Sequence, residues 1–181
     1  YEKRMVYDSS LGYRKKEINP ESWNGWRNYV LDGEVNDGNA WYANGGVSGA
    51  AGLFSTIEDL QRLVDMLLHN GSVNGAPFIS IETISKFLTM DGFKNGLGWM
   101  MDPSNSFMKN GPEGSFGHTG FTGTSIAVVP KNNISVILLI NRQHTGLSAK
   151  GEYYNVNPIR EQVFTAVMRD RKSTRLNSSH T

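Results

Sequence analysis

The sequence predicts an α+β domain in which an antiparallel sheet packs against helices. Apolar residues at helical spacing come first, in the stretch 60–68. Two apolar runs follow, residues 123–129 and 134–140, and the turn sequence Pro-Lys-Asn-Asn at 130–133 joins them. A last helical pattern begins near Pro158. Helices, then strands joined by a short turn, then a covering helix is the order of an α+β fold rather than of alternating βαβ units.

Three helices are predicted. The first begins at Ser55-Thr56-Ile57-Glu58, which fits a capping box, and Gly71 stands where a glycine commonly ends a helix. Its apolar face is formed by Leu60, Leu63, Val64, Leu67 and Leu68. A second helix is predicted over residues 81–89, and a final helix carries Pro158 in its first turn. The inward face of that final helix would be Ile159, Val163, Phe164 and Val167.

The predicted strands are residues 96–101 and the two apolar runs, with a loop over 102–113 and a polar link over 145–154. The run 134–140 is apolar enough to predict a central, buried strand. Residues 1–50 are rich in Gly, Asn and Asp without a sustained period, which predicts a long irregular region. Its aromatic anchors would be Trp23, Trp26, Tyr29, Trp41 and Tyr42.

Composition excludes several classes of protein. The chain has 181 residues, a net charge of +1 and no basic patch interleaved with aromatic residues, so no nucleic-acid partner is predicted. No apolar run is long enough to span a membrane. The absence of cysteine excludes a disulfide framework and thiolate chemistry. The four histidines are widely spaced, so neither a metal site nor a cofactor is predicted, and nothing in the sequence sets an oligomeric state.

The stretch 116–125, with the sequence FGHTGFTGTS, carries the strongest chemical signal. It places an imidazole, a hydroxyl and a glycine in a row, as His118, Thr119 and Gly120, directly before a strand. An imidazole can exchange a proton with a substrate, and a glycine lets the backbone approach a substrate closely. The alternative is a Gly-rich bend that only enters a hairpin, with His118 hydrogen-bonded for structural reasons.

With its strand pair, this stretch resembles the third motif of the serine β-lactamase and penicillin-binding protein superfamily. That motif is Lys-Thr-Gly in the best-known members and His-Thr-Gly in many esterases and peptidases related to class C β-lactamases. The resemblance covers roughly residues 25–168, and its other stretches are 33–37, 45–56, 96–99 and 157–160. It implies an α+β, partial β-lactamase/transpeptidase-like fold without its N-terminal half, and it favours a periplasmic or secreted location.

The resemblance also implies roles for the residues of the motif. His118 takes the place of the family lysine, where it would contact a substrate carboxylate or share protons within the site. Thr119 would offer its hydroxyl to the substrate. Gly120 would permit close approach of the backbone, and the N–H of Phe121 would be one donor of an oxyanion hole. Further substrate contacts would come from Tyr42 and Thr122.

Two strings imitate the family's other motifs. Ser106-Phe107-Met108-Lys109 fits the nucleophile motif S-x-x-K, but it lies in a loop of Pro, Asn and Gly where no helix would hold Ser and Lys on one face, so we interpret it as a coincidence. Tyr42-Ala43-Asn44 fits Y-x-N but precedes the Ser55 helix, so Tyr42 is interpreted as a pocket-lining or packing residue. For Arg142, a surface ion pair is expected rather than a position that faces the pocket.

Residues 1–169 are therefore expected to be the C-terminal part of a β-lactamase-related serine hydrolase domain, and residues 170–181 a disordered or artefactual tail. The enzyme would act through an acyl-enzyme on an ester, amide or β-lactam bond of a small-molecule or peptide substrate. Its serine would lie upstream of Tyr1, so this chain alone would be inactive. The alternative is a non-catalytic domain on the same scaffold that binds a peptide or a glycan.

Overall fold

A computed structural model describes residue 27 and residues 29–178, and these residues fall into two units divided between Ser55 and Thr56. Two of the predicted aromatic anchors, Trp23 and Trp26, lie outside the described residues. The helices are α1 (Gly38–Ala43), α2 (Ile57–Leu68), α3 (Ile81–Phe87) and α4 (Asn157–Ser178). The strands are β1 (Ser72–Val73), β2 (Ala76–Pro77), β3 (Asn95–Gly96), β4 (Trp99–Met100), β5 (Phe116–Thr119), β6 (Ser125–Val129) and β7 (Ile134–Leu138).

The first unit contains a short helix where the sequence predicted only irregular structure. The side chain of Asp37 caps α1 by accepting a hydrogen bond from the N–H of Ala40 at 2.7 Å. A nearby arginine, Arg27, is buried and donates to the carbonyl of Val35 at 2.7 Å, with its guanidinium 4.9 Å from the ring of Trp41. The prediction for residues 1–50 was therefore wrong at α1, because the turn-forming Asp37 here begins a helix.

Helix α2 lies where its apolar spacing predicted it, but its cap is shifted by one residue. Thr56, and not Ser55, is the N-cap, and its hydroxyl accepts from the N–H of Asp59 at 3.3 Å. Past the end of the helix, Asn70 and Gly71 both have positive φ. A Cβ at Gly71 would overlap the carbonyl of Ile79, so only glycine fits this close approach. Both packing and backbone conformation therefore explain why a glycine follows the end of α2.

The second unit is built around a five-stranded antiparallel sheet with the order β3-β4-β5-β6-β7. The predicted strand over 96–101 is instead a tight hairpin, because Leu97 and Gly98 form a turn in which Gly98 has a φ of +79°. The hairpin of β6 and β7 is confirmed, with Val129 paired to Ile134. Among the described residues β7 lies at the edge of the sheet and is half-buried, so the prediction of a central, buried strand was wrong.

Helices cover both faces of this sheet. On one face, α2 and α3 pack onto Phe116 and Val128 through apolar residues that include Val64, Leu67 and Ile84. On the other face, Phe164 of α4 packs with Ala127, Val129, Phe107 and Met108. The two faces follow from strand alternation, in which neighbouring residues point to opposite sides.

The inward face predicted for the last helix is confirmed at Phe164, which is 1% exposed, and its neighbours Ile159, Val163 and Val167 are half-buried. The helix continues to Ser178, beyond the domain end predicted at residue 169. Within the described part of the chain, no helix combines the length and the apolar character needed to cross a membrane.

Candidate functional site

Strand β5 carries His118 on the face of the sheet that packs against α2. His118 follows the buried Phe116 by two residues and pairs with Ile126, which packs against the same core. Its ring is exposed, and Nδ1 lies 3.0 Å from the carbonyl oxygen of Thr119. Because a carbonyl oxygen can only accept, Nδ1 carries the proton in this contact. In the neutral imidazole Nε2 is then an acceptor, and it has no partner among residues 29–178.

The side chain of Thr119 lies on the opposite face of the sheet, toward α4. Its pairing partner, Ser125, is 4% exposed. Thr119 lines a cleft of about 240 Å³ together with Asn157 and Glu161 of α4. The structure therefore does not bring the His118 imidazole and the Thr119 hydroxyl together over one face of the sheet.

Gly120 begins a tight loop that returns to β6 at Thr124. Its N–H donates to the carbonyl of Thr124 at 2.8 Å, and its own carbonyl accepts from the N–H of Gly123 at 3.1 Å. A Cβ at position 120 would overlap the hydroxyl oxygen of Thr124. Glycine is therefore required here so that the loop can close upon itself, a reason that the sequence prediction did not include.

Phe121 lies at the tip of this loop with its ring 61% exposed. The ring meets the edge of Tyr153 at a centroid distance of 5.8 Å, and the guanidinium of Arg142 lies 4.5 Å from its centroid. Arg142 also donates to the carbonyl of Tyr154 at 3.5 Å. The prediction of a surface ion pair for Arg142 was wrong, because among the described residues this side chain contacts aromatic rings and a carbonyl instead.

Among the described residues, three carbonyl groups of the loop accept hydrogen bonds and two of its N–H groups have no acceptor. The carbonyl of Thr122 accepts from the backbone N–H of Arg142 at 2.7 Å, and those of Gly120 and Thr124 accept the bonds described above. By contrast, the N–H groups of Phe121 and Thr122 find no acceptor within residues 29–178. Unpaired backbone donors are the groups that bind an oxyanion in acyl-transfer enzymes.

Arg160 of α4 donates hydrogen bonds to this loop. Sequence reasoning assigned it no role in the site. It is 6% exposed, and its Nη2 donates to the carbonyls of Gly120 at 2.8 Å and of Thr124 at 2.9 Å. Its Nη1 donates to Oδ1 of Asn157 at 2.7 Å. Burial lowers the pKa of Arg160 below its usual value, and the neighbouring cation of Arg142 lowers this pKa further. In the sequence, Asn157 and Arg160 stood out only as part of the stretch 157–160 that resembles the family, and neither that resemblance nor their i, i+3 spacing reveals burial.

The Ser106 to Lys109 string forms a turn and not a helix, in agreement with its interpretation as a coincidence. Ser106 accepts a hydrogen bond from the N–H of Met108 at 3.1 Å, whereas Lys109 reaches Glu161 at 3.5 Å. Met108 between them is fully buried. Packing in the core therefore explains the methionine in the middle of this string. Its sulfur lies so close to Gly117 that a Cβ at position 117 would be only 3.0 Å from it.

Tyr42 belongs to the first unit, where it is half-buried on α1. Its ring meets Trp41 edge-on at a centroid distance of 4.6 Å. Packing of this kind agrees with one of the two roles expected for Tyr42, and its contact with substrate stays a prediction. Within residues 27 and 29–178, no three His, Asp or Glu side chains form a group that would hold a metal ion.

Comparison with known proteins places these residues in a family. A family model described as Beta-lactamase matches residues 9–160, which include all of the loop and the start of α4. The chain belongs to the β-lactamase family. This family membership agrees with the α+β architecture, in which helices cover both faces of an antiparallel sheet.

Curated relatives agree with this family. Proteins named "Putative D-alanyl-D-alanine carboxypeptidase" from Salmonella gallinarum, Salmonella paratyphi B and Salmonella newport are each 34% identical over 126 residues. The match covers 66% of this chain and 29% of each relative, so the chain spans well under half the length of these proteins. At the level of the family, the function of the chain is related to that of serine hydrolases.

Proposed function

We propose that this chain is the C-terminal part of a longer serine hydrolase, called the parent protein below, which works through an acyl-enzyme. The single observation that carries this proposal is the free N–H of Phe121 at the end of β5. The carbonyls of Gly120, Thr122 and Thr124 beside it are engaged in hydrogen bonds, whereas this N–H has no acceptor among the described residues. That arrangement suits the negative oxygen of a tetrahedral intermediate.

The reaction assigned to the parent protein is acyl transfer. A serine supplied by residues upstream of Tyr1 attacks the substrate carbonyl carbon, and its proton passes to the leaving amine or alcohol. The N–H of Phe121 and that of the serine itself hold the oxyanion, and water then releases the acyl group. Loss of one such donor typically costs about 100- to 1,000-fold in rate.

His118 is assigned a proton-sharing role at this site. Support comes from its exposed ring and from Nε2, which is left as an acceptor when Nδ1 donates to Thr119. Thr119 and Thr122 are assigned substrate contacts at the end of β5, where a ligand can approach the strand end-on. A substrate contact of Tyr42 stays a prediction that the family resemblance motivates. Gly120 is assigned the tight loop that keeps Phe121 in place.

The substrate proposed first is a peptide amide, because the Salmonella relatives are named as D-alanyl-D-alanine carboxypeptidases. A β-lactam is the second candidate, because the matching family is described as Beta-lactamase. An ester remains the third, since the geometry of an oxyanion hole suits any acyl carbonyl.

A binding domain without catalysis is the rival function. It is favoured by the exposed ring of Phe121 beside Tyr153 and Arg142, a combination that also suits a peptide or glycan ligand. The upstream coding sequence separates the two functions. A Ser-x-x-Lys entering an apolar helix supports the hydrolase.

The decisive test compares the parent protein with the isolated 181-residue chain. We expect the parent to hydrolyse a D-alanyl peptide, a thioester or a chromogenic β-lactam with a burst of product, and the isolated chain to release none above the uncatalysed rate. Binding of the same peptide by the parent without turnover of any of the three would overturn the proposal in favour of the binding domain. Turnover by the isolated chain would overturn the upstream position of the serine.

A further inference from the structure

Arg160 is a buried cation whose hydrogen-bond partners among the described residues are all neutral oxygens. Its three hydrogen bonds end on the carbonyls of Gly120 and Thr124 and on the amide oxygen of Asn157. A guanidinium that is 6% exposed and lacks a carboxylate partner among the described residues pays a desolvation cost without the attraction of an ion pair. A buried cation of this kind contributes little to stability, so we look for another role for its hydrogen bonds.

The contact with Gly120 determines which way the next N–H points. The peptide between Gly120 and Phe121 is trans, so the carbonyl of Gly120 and the N–H of Phe121 point in opposite directions from one plane. Arg160 reaches the carbonyl from α4 at 2.8 Å. The N–H of Phe121 is therefore directed away from the Arg160 guanidinium.

The second carbonyl contact keeps this plane from turning. Nη2 bridges the carbonyls of Gly120 and Thr124, and these two residues are also joined by the bond from the N–H of Gly120 to Thr124. Asn157 holds Nη1 at 2.7 Å, one turn before Arg160 on α4. A rotation of the 120–121 peptide would take the partly buried carbonyl of Gly120 away from both of its donors, Nη2 of Arg160 and the N–H of Gly123, which is unfavourable.

We propose that Arg160 is a positioning residue for the oxyanion donor, because it fixes the 120–121 peptide plane and thereby aims the N–H of Phe121 into the site. This inference rests on the proposed function. Arg160 itself touches neither the substrate nor the reacting atoms. It acts through the backbone of the loop 120–124, and the cost of its loss should appear in the chemical step rather than in substrate capture.

The first test measures the loop itself in the parent protein. In Arg160→Met, we expect amide hydrogen exchange at Gly120 and Gly123 to accelerate by about 10-fold or more, since their acceptors lose the arginine that holds them. Exchange at Ala127, in the middle of β6, should stay within about twofold of wild type. Unchanged exchange at Gly120 and Gly123 would overturn the proposal whether or not the parent protein is an enzyme.

The second test separates positioning from general stability. Arg160→Met should lower the acylation rate constant by about 100-fold and change the KM for the same substrate by less than about threefold. Phe164→Leu is the matched control, because it loosens the packing of α4 on the sheet without touching the loop. Asn157→Ala should fall between wild type and Arg160→Met, since it releases Nη1 and leaves both carbonyl contacts.

The outcomes are distinguishable. If wild-type parent protein forms no acyl-enzyme, the proposed function fails and the exchange data alone judge the role of Arg160 in the loop. If wild type is acylated but Phe164→Leu loses as much acylation as Arg160→Met at the same drop in melting temperature, the positioning role is overturned. A rise in KM with an unchanged acylation rate in Arg160→Met would overturn it as well, since that result would place Arg160 in substrate capture.

Discussion

Substitution of Gly120 by alanine tests why the motif ends in glycine. The Cβ of the new alanine would overlap Oγ1 of Thr124, and Cβ of Thr124 lies 3.6 Å from the same point. The overlap is thus with one hydroxyl oxygen, on a β-branched side chain that has few alternative rotamers. Backbone strain plays no part, because Gly120 is not among the glycines with positive φ. The structure therefore predicts a clash that a second substitution, Thr124→Ala, should remove.

The expected magnitudes follow from these contacts. Gly120→Ala alone should lower the free energy of unfolding by about 1–3 kcal/mol, the usual cost of overpacking. In the Thr124→Ala background the nearest neighbour is a carbon at an ordinary contact distance. The same change should then be neutral, or stabilising by up to about 1 kcal/mol, because alanine restricts the unfolded chain. The coupling energy between the two positions should be about 2 kcal/mol, within the range for residues in direct contact.

Urea unfolding of the parent protein and its three variants, followed by tryptophan fluorescence, measures this coupling. The acylation rate of the same four proteins shows whether glycine also serves the substrate. Restoration of both stability and acylation in the double variant means that glycine is needed only for the closure of the loop. Additive losses of stability, with a coupling energy below about 0.5 kcal/mol, would refute the assignment of the clash to Thr124.

Three further predictions test other parts of the structure. His118→Gln should lower the acylation rate of the parent protein by about 100-fold or more. His118→Phe, which keeps an aromatic ring but has no ring nitrogen, should lose as much as His118→Gln, and an acylation rate within about threefold of wild type in both variants would contradict proton sharing. Thr56→Ala should lower the free energy of unfolding by about 1 kcal/mol and Thr56→Ser by almost nothing, as measured by the midpoint of urea unfolding. Equal losses in the two variants would argue against Thr56 as the N-cap of α2. Phe164→Ala should lower the free energy of unfolding by about 3–5 kcal/mol in the same assay. The control Gln162→Ala, at an exposed residue of the same helix, should lower it by about 0.5 kcal/mol or less. A loss below about 1 kcal/mol in Phe164→Ala would contradict the burial of Phe164.

Elements whose signal is local could be predicted from the sequence. The apolar spacing of α2 and the turn between β6 and β7 are properties of neighbouring residues, and both elements lie where they were expected. The errors in this group are small and have local causes. The cap of α2 moved from Ser55 to Thr56 because both side chains can cap a helix, and only the path of the backbone decides between them.

Properties that depend on distant residues could not be predicted. The apolar run of β7 suggested a central strand, yet β7 lies at the edge of the sheet within the described residues, because apolar character does not specify which strands pair. The single strand expected over 96–101 is a hairpin, because Gly98 adopts a φ of +79°. The first error concerns pairing between distant segments, which the sequence of one segment does not contain, whereas the second is a local turn at Gly98 inside the expected strand.

The candidate site also combines local features, which could be predicted from the sequence, with contacts between distant residues, which could not. The motif 118–121 lies at the end of β5 and in the loop that follows it, and its role in a site stays a prediction. The opposite directions of His118 and Thr119 follow from strand alternation once β5 is known. Arg160 was missed because it lies 40 residues from Gly120, and a lone arginine in a helix is usually exposed.

The central claim is that this chain provides the oxyanion donor and that the reacting serine lies outside residues 1–181. Mass-spectrometric mapping of the parent protein after reaction with a labelled β-lactam or a fluorophosphonate tests it most directly. We expect one modified serine upstream of Tyr1, at the start of an apolar helix and followed three residues later by lysine. A label on Ser106, or on any other residue of this chain, would contradict it.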